Sequence, residues 1–183
     1  MPDPSEPWLT SATPADIPTL CTIYRHHVLH GLASFEEELP DTAEMGRRYD
    51  EIRGRSLPYL VARRDDVIVG YAYAGPYRTR SAYRFALEDS VYVAPDCTGR
   101  GIGRLLLAQL IEDCSALGYR QMVAVIGDSG HRASIRLHEA QGFSHAGLLR
   151  SVGFKLGRWV DSVLMQRPLG DGDATLPQAG SGA

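Results

Sequence analysis

The chain has 183 residues, enough for one domain with a sizeable core, and its 44% hydrophobic and 22% charged residues suit a globular protein. Its 19 Lys+Arg against 22 Asp+Glu give a net charge of −3, which argues against a protein that coats nucleic acid, because phosphate neutralisation needs clustered positive charge. No apolar run approaches the ~18 residues of a membrane span, Cys21, Cys97 and Cys114 form no C-x-x-C pair, and Met1 to Pro7 lack the basic and apolar regions of a signal peptide. The expectation is a reduced, cytoplasmic protein with no metal, no membrane segment and no nucleic-acid partner.

In chain order, residues 1–7 read as a flexible tail and Trp8 to Ala12 as a short strand. Thr13-Pro14-Ala15-Asp16 is a helix start with a capping-box pattern and proline at the first helical position, and Ile17, Leu20, Ile23, Tyr24 and Val28 follow at helical spacing. Gly31 ends this helix and a loop runs from Leu32 to Pro40. A second, more polar helix runs from Asp41 or Thr42 to about Gly54. Strands are predicted over Tyr59–Arg63 and Val67–Gly75, where Pro76 breaks the second. A basic, aromatic loop, Tyr77 to Arg84, leads to a strand over Leu87–Val93. After a glycine-rich segment, Leu105, Leu106, Leu110, Ile111, Cys114 and Leu117 form the apolar stripe of the clearest helix, with Gly118 as its C-cap. Met122 to Ile126 is continuously apolar, as in a strand buried on both faces. A short helix, Ala133 to Gln141, and strands around Ser144–Leu149 and Val160–Arg167 close a mixed α/β domain over residues 8–168. Residues 169–183 are apolar-poor and expected to be disordered.

The segment Asp96-Cys97-Thr98-Gly99-Arg100-Gly101-Ile102-Gly103-Arg104 joins a strand to a helix. Alternating glycines let a backbone approach a ligand closely, and free N–H groups at a helix start favour phosphate. Arg100 and Arg104 add charge. A pyrophosphate cradle and a plain flexible turn both fit this segment. A P-loop would need Lys-Ser/Thr after its last glycine, and the dinucleotide fingerprint would need glycine at Arg104.

At this motif the chain resembles the GNAT superfamily of acetyltransferases, whose coenzyme A loop reads Gln/Arg-x-x-Gly-x-Gly/Ala; Thr98 stands where Gln or Arg is usual. Tyr73-Ala74-Gly75-Pro76, Glu88 with Ser90-Val91-Tyr92-Val93, Ala124-Val125-Ile126-Gly127, Arg136-Leu137-His138-Glu139-Ala140 and Gly153-Phe154-Lys155 with Trp159 and Asp161 narrow it. They resemble the phosphinothricin acetyltransferase branch, which includes methionine sulfoximine and sulfone acetyltransferases. The resemblance covers about Trp8 to Pro168. It implies the GNAT fold, a mostly antiparallel twisted sheet with a splayed parallel strand pair and flanking helices. It also implies acetyl-CoA as cosubstrate, a small-molecule amine as acceptor and a homodimer, with Lys155 to Asp161 near the partner. For coenzyme contacts it implies the strand backbone at Val91, Tyr92 and Val93, the loop Gly99 to Arg104 (including Ile102), and the segment His131-Arg132-Ala133-Ser134, in which His131 replaces the family's Asn.

Amine acetylation by a thioester requires a deprotonated amine, donors for an oxyanion, and a proton for the departing thiolate. Glu88 is the candidate base: it sits in a largely apolar strand, where burial would raise its pKa, although a salt-bridged strand residue would look the same. The family's catalytic Glu falls on it. Asp89 points to the opposite face by strand alternation and is the poorer candidate. His138, where many relatives have Tyr, reads either as a catalytic or orienting group or as a packed histidine. Arg78, Arg80 and Tyr83 suit a carboxylate or phosphinate, and equally an ordinary basic loop; the resemblance favours Arg80 and Tyr83. Phe35 and Tyr73 could line the acceptor pocket. Two alternatives remain open: acetylation of a protein N-terminus or antibiotic amine, and a non-catalytic coenzyme A-binding regulatory module.

Overall fold

The computed structural model describes residues 6–177. Seven strands form one sheet in the order β1-β2-β3-β4-β5-β7-β6. They are β1 (Trp8–Ser11), β2 (Tyr59–Arg64), β3 (Val67–Pro76), β4 (Ala86–Val93), β5 (Gln121–Gly127), β6 (Ser144–Lys155) and β7 (Arg158–Pro168). The helices are α1 (Ile17–His30), α2 (Thr42–Gly54), α3 (Ile102–Ala116) and α4 (Arg132–Ala140). Every neighbouring pair is antiparallel except β4 and β5.

Two apolar layers cover the sheet. On one face α3 buries Ile102, Leu106, Leu107, Leu110, Ile111 and Cys114 against Ala72, Ala74 and Leu87. Each large apolar side chain buried there contributes about 1.5–3 kcal/mol. Leu105 and Leu117, expected in that stripe, lie on the exposed side; Ile102 and Leu107 take their places because the helix begins at Ile102 and its buried face is rotated accordingly. On the other face α1 and α2 bury Leu20, Tyr24, Val28, Met45 and Tyr49 against Tyr59, Val61 and Tyr71. Tyr59, Tyr71, Tyr73 and Tyr92 stack across three strands, with centroid separations of 4.8–6.4 Å.

The helix start at Thr13 forms a capping box: the Asp16 carboxylate accepts from the Thr13 N–H at 2.8 Å and from its hydroxyl at 3.0 Å. This first turn, Pro14–Asp16, is a 3-10 turn that leads into α1. Arg63 of β2 also donates to Asp16 at 2.5 Å, tying the start of α1 to the sheet.

Three expectations change. Pro76 does not break β3; it is its last residue and pairs with Leu87, a strand-end position where a missing N–H is tolerated. Strands β6 and β7 extend well past the apolar stretches that suggested them, meeting at Leu156 and Gly157. A register shift between Leu149 and Gly153 interrupts the alternation from which their length would be read. Leu169, assigned to a disordered tail, is fully buried, and Arg120 donates to Gly172 O, Thr175 Oγ1 and Leu176 O. The rest of the expected tails, residues 1–5 and 178–183, lies outside the described residues. No described helix is long and apolar enough to cross a membrane.

The loop after α1 is drawn down onto the end of β5. A Cβ at Gly127 would collide with the Leu32 carbonyl oxygen and approach Ala33 Cα to 3.1 Å. Gly127→Ala should therefore destabilise the fold by about 1–3 kcal/mol, the cost of overpacking, measured as the shift of the urea unfolding midpoint. An unchanged midpoint would mean that this loop is not held on β5.

Candidate active site

Strand β4 keeps its β3 partner from Leu87 to Val93 but pairs with β5 only at Ala86, Leu87 and Glu88. Beyond Glu88 and Val123 the two parallel strands part, and the sheet forks. The Tyr77 N–H donates to Ala86 O and the Ala94 N–H to Val69 O, so the even-numbered peptide groups of β4 face β3. By strand alternation those of Asp89, Val91 and Val93 face into the fork. His27 of α1 reaches one of them, its Nε2 donating to the Val93 carbonyl at 2.9 Å.

A cavity of about 520 Å³ fills the fork. β4 contributes Glu88 to Val93 and β5 contributes Ala124 to Ile126. At one end lie Cys97 to Gly99 and Gly101 to Gly103; α4 and its start add His131, Ala133, Ser134, Leu137 and His138; the loop after α1 adds Ala33 and Phe35. Gly99 and Gly101 have φ of +73° and +79°, a left-handed conformation that only glycine adopts without strain. Gly101 is the N-cap of α3, so the unpaired N–H groups of the first helical turn open onto the cavity. The glycine-rich segment is thus a helix start whose backbone borders the cavity.

Successive residues of β4 point to opposite faces. Glu88 belongs to the face covered by α1 and α2 and is half-buried. Its carboxylate makes no hydrogen bond or ion pair among the described residues. Burial raises its pKa above the ordinary glutamate value, the positive field of Arg78 works against that rise, and the charge of Asp89 adds to it. Asp89 belongs to the α3 and α4 face and is buried, with Oδ2 3.0 Å from His138 Nε2. His138 Nδ1 lies 2.8 Å from the Ser134 carbonyl.

Phe35 is held from several sides. Its ring lies across Gly153 of β6, where a Cβ would approach it to 2.6 Å. Lys155, only 2% exposed, donates to Ser34 O at 2.6 Å; the Ser34 hydroxyl meets Tyr24 OH at 3.0 Å; and Arg48 grips Glu36 at 2.7 Å. Burial lowers the Lys155 pKa, with Glu37 and Glu36 opposing.

Of the residues singled out in the sequence, the fork gathers Glu88, Val91, Tyr92, Val93, Gly99, Gly101, Ile102, Gly103, His131, Ser134, His138 and Phe35. Arg100 and Arg104 are exposed and outside its lining. Arg78, Arg80 and Tyr83 are also exposed and outside it, in and before the turn Ser81–Tyr83; Arg78 stacks on the Tyr77 ring at 4.3 Å. Tyr73 lies in the tyrosine stack and lines a separate cavity of about 190 Å³ with Tyr24, Tyr59, Tyr71 and Arg48. Sequence reasoning missed His27, Ala33 and Leu137, whose roles as wall residues depend on long-range packing. It also set Asp89 aside; its face was legible from alternation, but its partner 49 residues away was not.

The forked sheet over a glycine cradle is the architecture of an acyl-transfer enzyme. Residues 23–143 match the Acetyltransferase (GNAT) family, and the chain belongs to that family. It is 58% identical over 163 residues to a phosphinothricin N-acetyltransferase of Alcaligenes faecalis, covering 89% of this chain and 83% of that one. It is 39% identical over 158 residues to an L-methionine sulfoximine/L-methionine sulfone acetyltransferase of Salmonella typhimurium, covering 86% and 92%. The crystal structure of a phosphinothricin acetyltransferase from Sinorhizobium meliloti in complex with AcCoA superposes with a TM-score of 0.93 at 48% identity, covering 96% of this chain and 95% of that one.

The opposing influences on Glu88 give a direct test. Its carboxyl should titrate above the ordinary value of 4.5, followed by carboxyl 13C NMR. Arg78→Ala should raise the midpoint further, because it removes the cation that favours the charged form. A midpoint that does not move in Arg78→Ala would show that this guanidinium does not reach the site.

Proposed function

We propose that the enzyme transfers the acetyl group of acetyl-CoA to the amine of a small amino acid or analogue, of the phosphinothricin, methionine sulfoximine or methionine sulfone type. The observation that carries this reading is Glu88, a half-buried carboxylate with no protein partner among the described residues, at the point where β4 and β5 part. The acceptor reaches Glu88 from the α1 and α2 face, past Phe35. The thioester enters between the strands, with Val91 to Val93 along the pantetheine, His131 and Ser134 on the opposite wall, and Gly99 to Arg104 around the pyrophosphate.

In this mechanism Glu88, directly or through a water, takes the proton from the acceptor ammonium, and the freed lone pair attacks the thioester carbonyl. The N–H groups of β4 turned into the fork stabilise the oxyanion. As the tetrahedral intermediate collapses, the C–S bond breaks and the second amine proton passes to the departing thiolate, whose thiol has a pKa of about 8.5, so coenzyme A leaves as the thiol. His138 shapes the wall and orients the reactants. Glu88→Gln should lower kcat about 10²-fold or more with coenzyme affinity little changed. The acid limb of the wild-type pH profile should follow the raised Glu88 midpoint: activity falls as pH drops through it, because protonated Glu88 cannot accept a proton. Near-normal turnover of Glu88→Gln at all pH values would exclude Glu88 as the base.

Arg78, Arg80 and Tyr83 sit on the short connection between β3 and β4, whose register places Gly75 beside Glu88. A carboxylate held by this loop would turn the amine towards Glu88, and such positioning supplies much of the rate. An amino acid sulfone should therefore greatly outperform its decarboxylated amine, by about 10-fold or more in kcat/KM, the scale of one charge-assisted bond. Arg78→Ala or Arg80→Ala should mostly raise KM for the acid. Equal kcat/KM for acid and amine in the wild type would favour a protein or antibiotic amine instead. The exposed Val152, Phe154, Leu156 and Trp159 of the β6–β7 hairpin support a homodimer through that face.

A further inference from the structure

His138 has no free nitrogen. Nδ1 faces the Ser134 carbonyl at 2.8 Å, and a carbonyl only accepts, so Nδ1 carries a proton. Nε2 faces Asp89 Oδ2 at 3.0 Å, with side-chain exposures of 5% and 2%, so this contact is dry and contains one more proton. The ring is flanked by two acceptors, the Ser134 carbonyl and the Asp89 carboxyl group, and together they outweigh its burial, which assigns that proton to the ring. The pair is then an imidazolium on a carboxylate.

We propose that Asp89 is a positioning residue for the acetyl-transfer reaction: it holds His138 as a doubly protonated ring and thereby clasps α4 to β4 across the fork. The inference rests on the proposed acetyl transfer for its kinetic consequence, but the clasp itself is a property of the folded chain. Its two ends sit on different sides of the cavity. Asp89 belongs to β4, whose peptide groups face the thioester, and His138 belongs to α4, which presents Ser134 and Leu137 to the same space. Strand pairing no longer holds β4 and β5 together here, so the clasp fixes the width of the fork. Both N–H groups of the closed clasp are engaged, so His138 does not donate a proton to the leaving thiolate.

The surroundings favour this state. Burial works against the charged ring, but the Asp89 hydrogen bond, the Asp89 charge and the Ser134 carbonyl outweigh it, so His138 is held above the ordinary histidine range. The other titratable group facing Asp89 is Cys114 of α3, whose thiol burial keeps protonated. From the segment after α4, the uncharged Phe143 ring packs edge-on to His138 at 5.0 Å. On the strand itself Glu88 adds a negative field from the other face. Asp89 Oδ1 is buried without a partner, so Oδ2 and its imidazolium provide the described compensation for the carboxylate charge.

The test combines ring 15N NMR with kinetics. In the wild type both His138 nitrogens should remain protonated as the pH is raised past the ordinary midpoint near 6.5. In Asp89→Asn the ring should be a neutral Nδ1–H tautomer at neutral pH. Asp89→Asn should lower kcat about 10-fold or more while KM for the acceptor amine changes less than about twofold, because the amine binds on the Glu88 face. Asp89→Asn/His138→Gln should be no slower than the slower single variant, since one residue acts through the other. A wild-type ring that titrates near its ordinary value would overturn the clasp, even if the variants fail to fold. Additive losses in the double variant, or unchanged kcat in Asp89→Asn, would overturn the positioning role. If no amine is acetylated, the two 15N spectra still decide the clasp apart from the reaction.

Discussion

Strand β4 keeps β3 along its length but loses β5 after Glu88, and the peptide groups this leaves unpaired inside the protein are the constraint around which the molecule is arranged. Buried N–H and C=O groups require partners. At Val93 the protein supplies one itself through His27. Along the rest of the fork the edge of β4 opens onto the cavity that β5 vacates. The fork also joins the two faces of the sheet. Adjacent carboxylates therefore have different surroundings: Glu88 has no protein partner among the described residues on one face, while Asp89 meets His138 on the other.

An open fork needs walls that pairing does not provide, and these come from far along the chain. Gly127 lets the Leu32 carbonyl rest on the end of β5, Gly153 lets the Phe35 ring pack against β6, and buried Lys155 anchors the backbone between them at Ser34. Glycine is required at those two positions because another backbone or ring occupies the space of a Cβ. The long β6–β7 hairpin thus supports the cavity wall at Phe35 as well as forming the edge of the sheet. Its cost is a row of exposed apolar side chains at the sheet edge.

Charge follows the same division. Burial raises the Glu88 carboxyl towards the range where a base works, and the Arg78 field keeps that rise in check. The cationic loop from Arg78 to Arg84 remains exposed. At the other end of the fork the start of α3 turns backbone N–H groups and the positive end of the helix towards the cavity, with Arg100 and Arg104 exposed beyond its lining. Thr98, in place of Gln or Arg, spends its hydroxyl on the Pro95 carbonyl at 3.2 Å and leaves the backbone cradle intact.

Much of this was legible in the sequence because it is local. Helix α3 after its glycine-rich segment, strand β5 as a continuous apolar run, the capping box at Thr13 and the opposite facing of Glu88 and Asp89 all follow from propensity and periodicity within a few residues. The family resemblance extended that reading to the fold and to most of the cavity wall. The sequence alone could not decide which strands part, because pairing between β4 and β5 joins residues as far apart as Ala86 and Gln121. Nor could it decide that His138 spends both nitrogens on Ser134 and Asp89, that Lys155 is buried beneath Ser34, or that Arg78 rather than Arg80 is the cation felt by Glu88. Each of these depends on distance and dryness, which arise only when remote segments pack together. Local sequence sets the conformation of a segment and the side a residue faces; tertiary structure decides what it meets there and whether water is excluded.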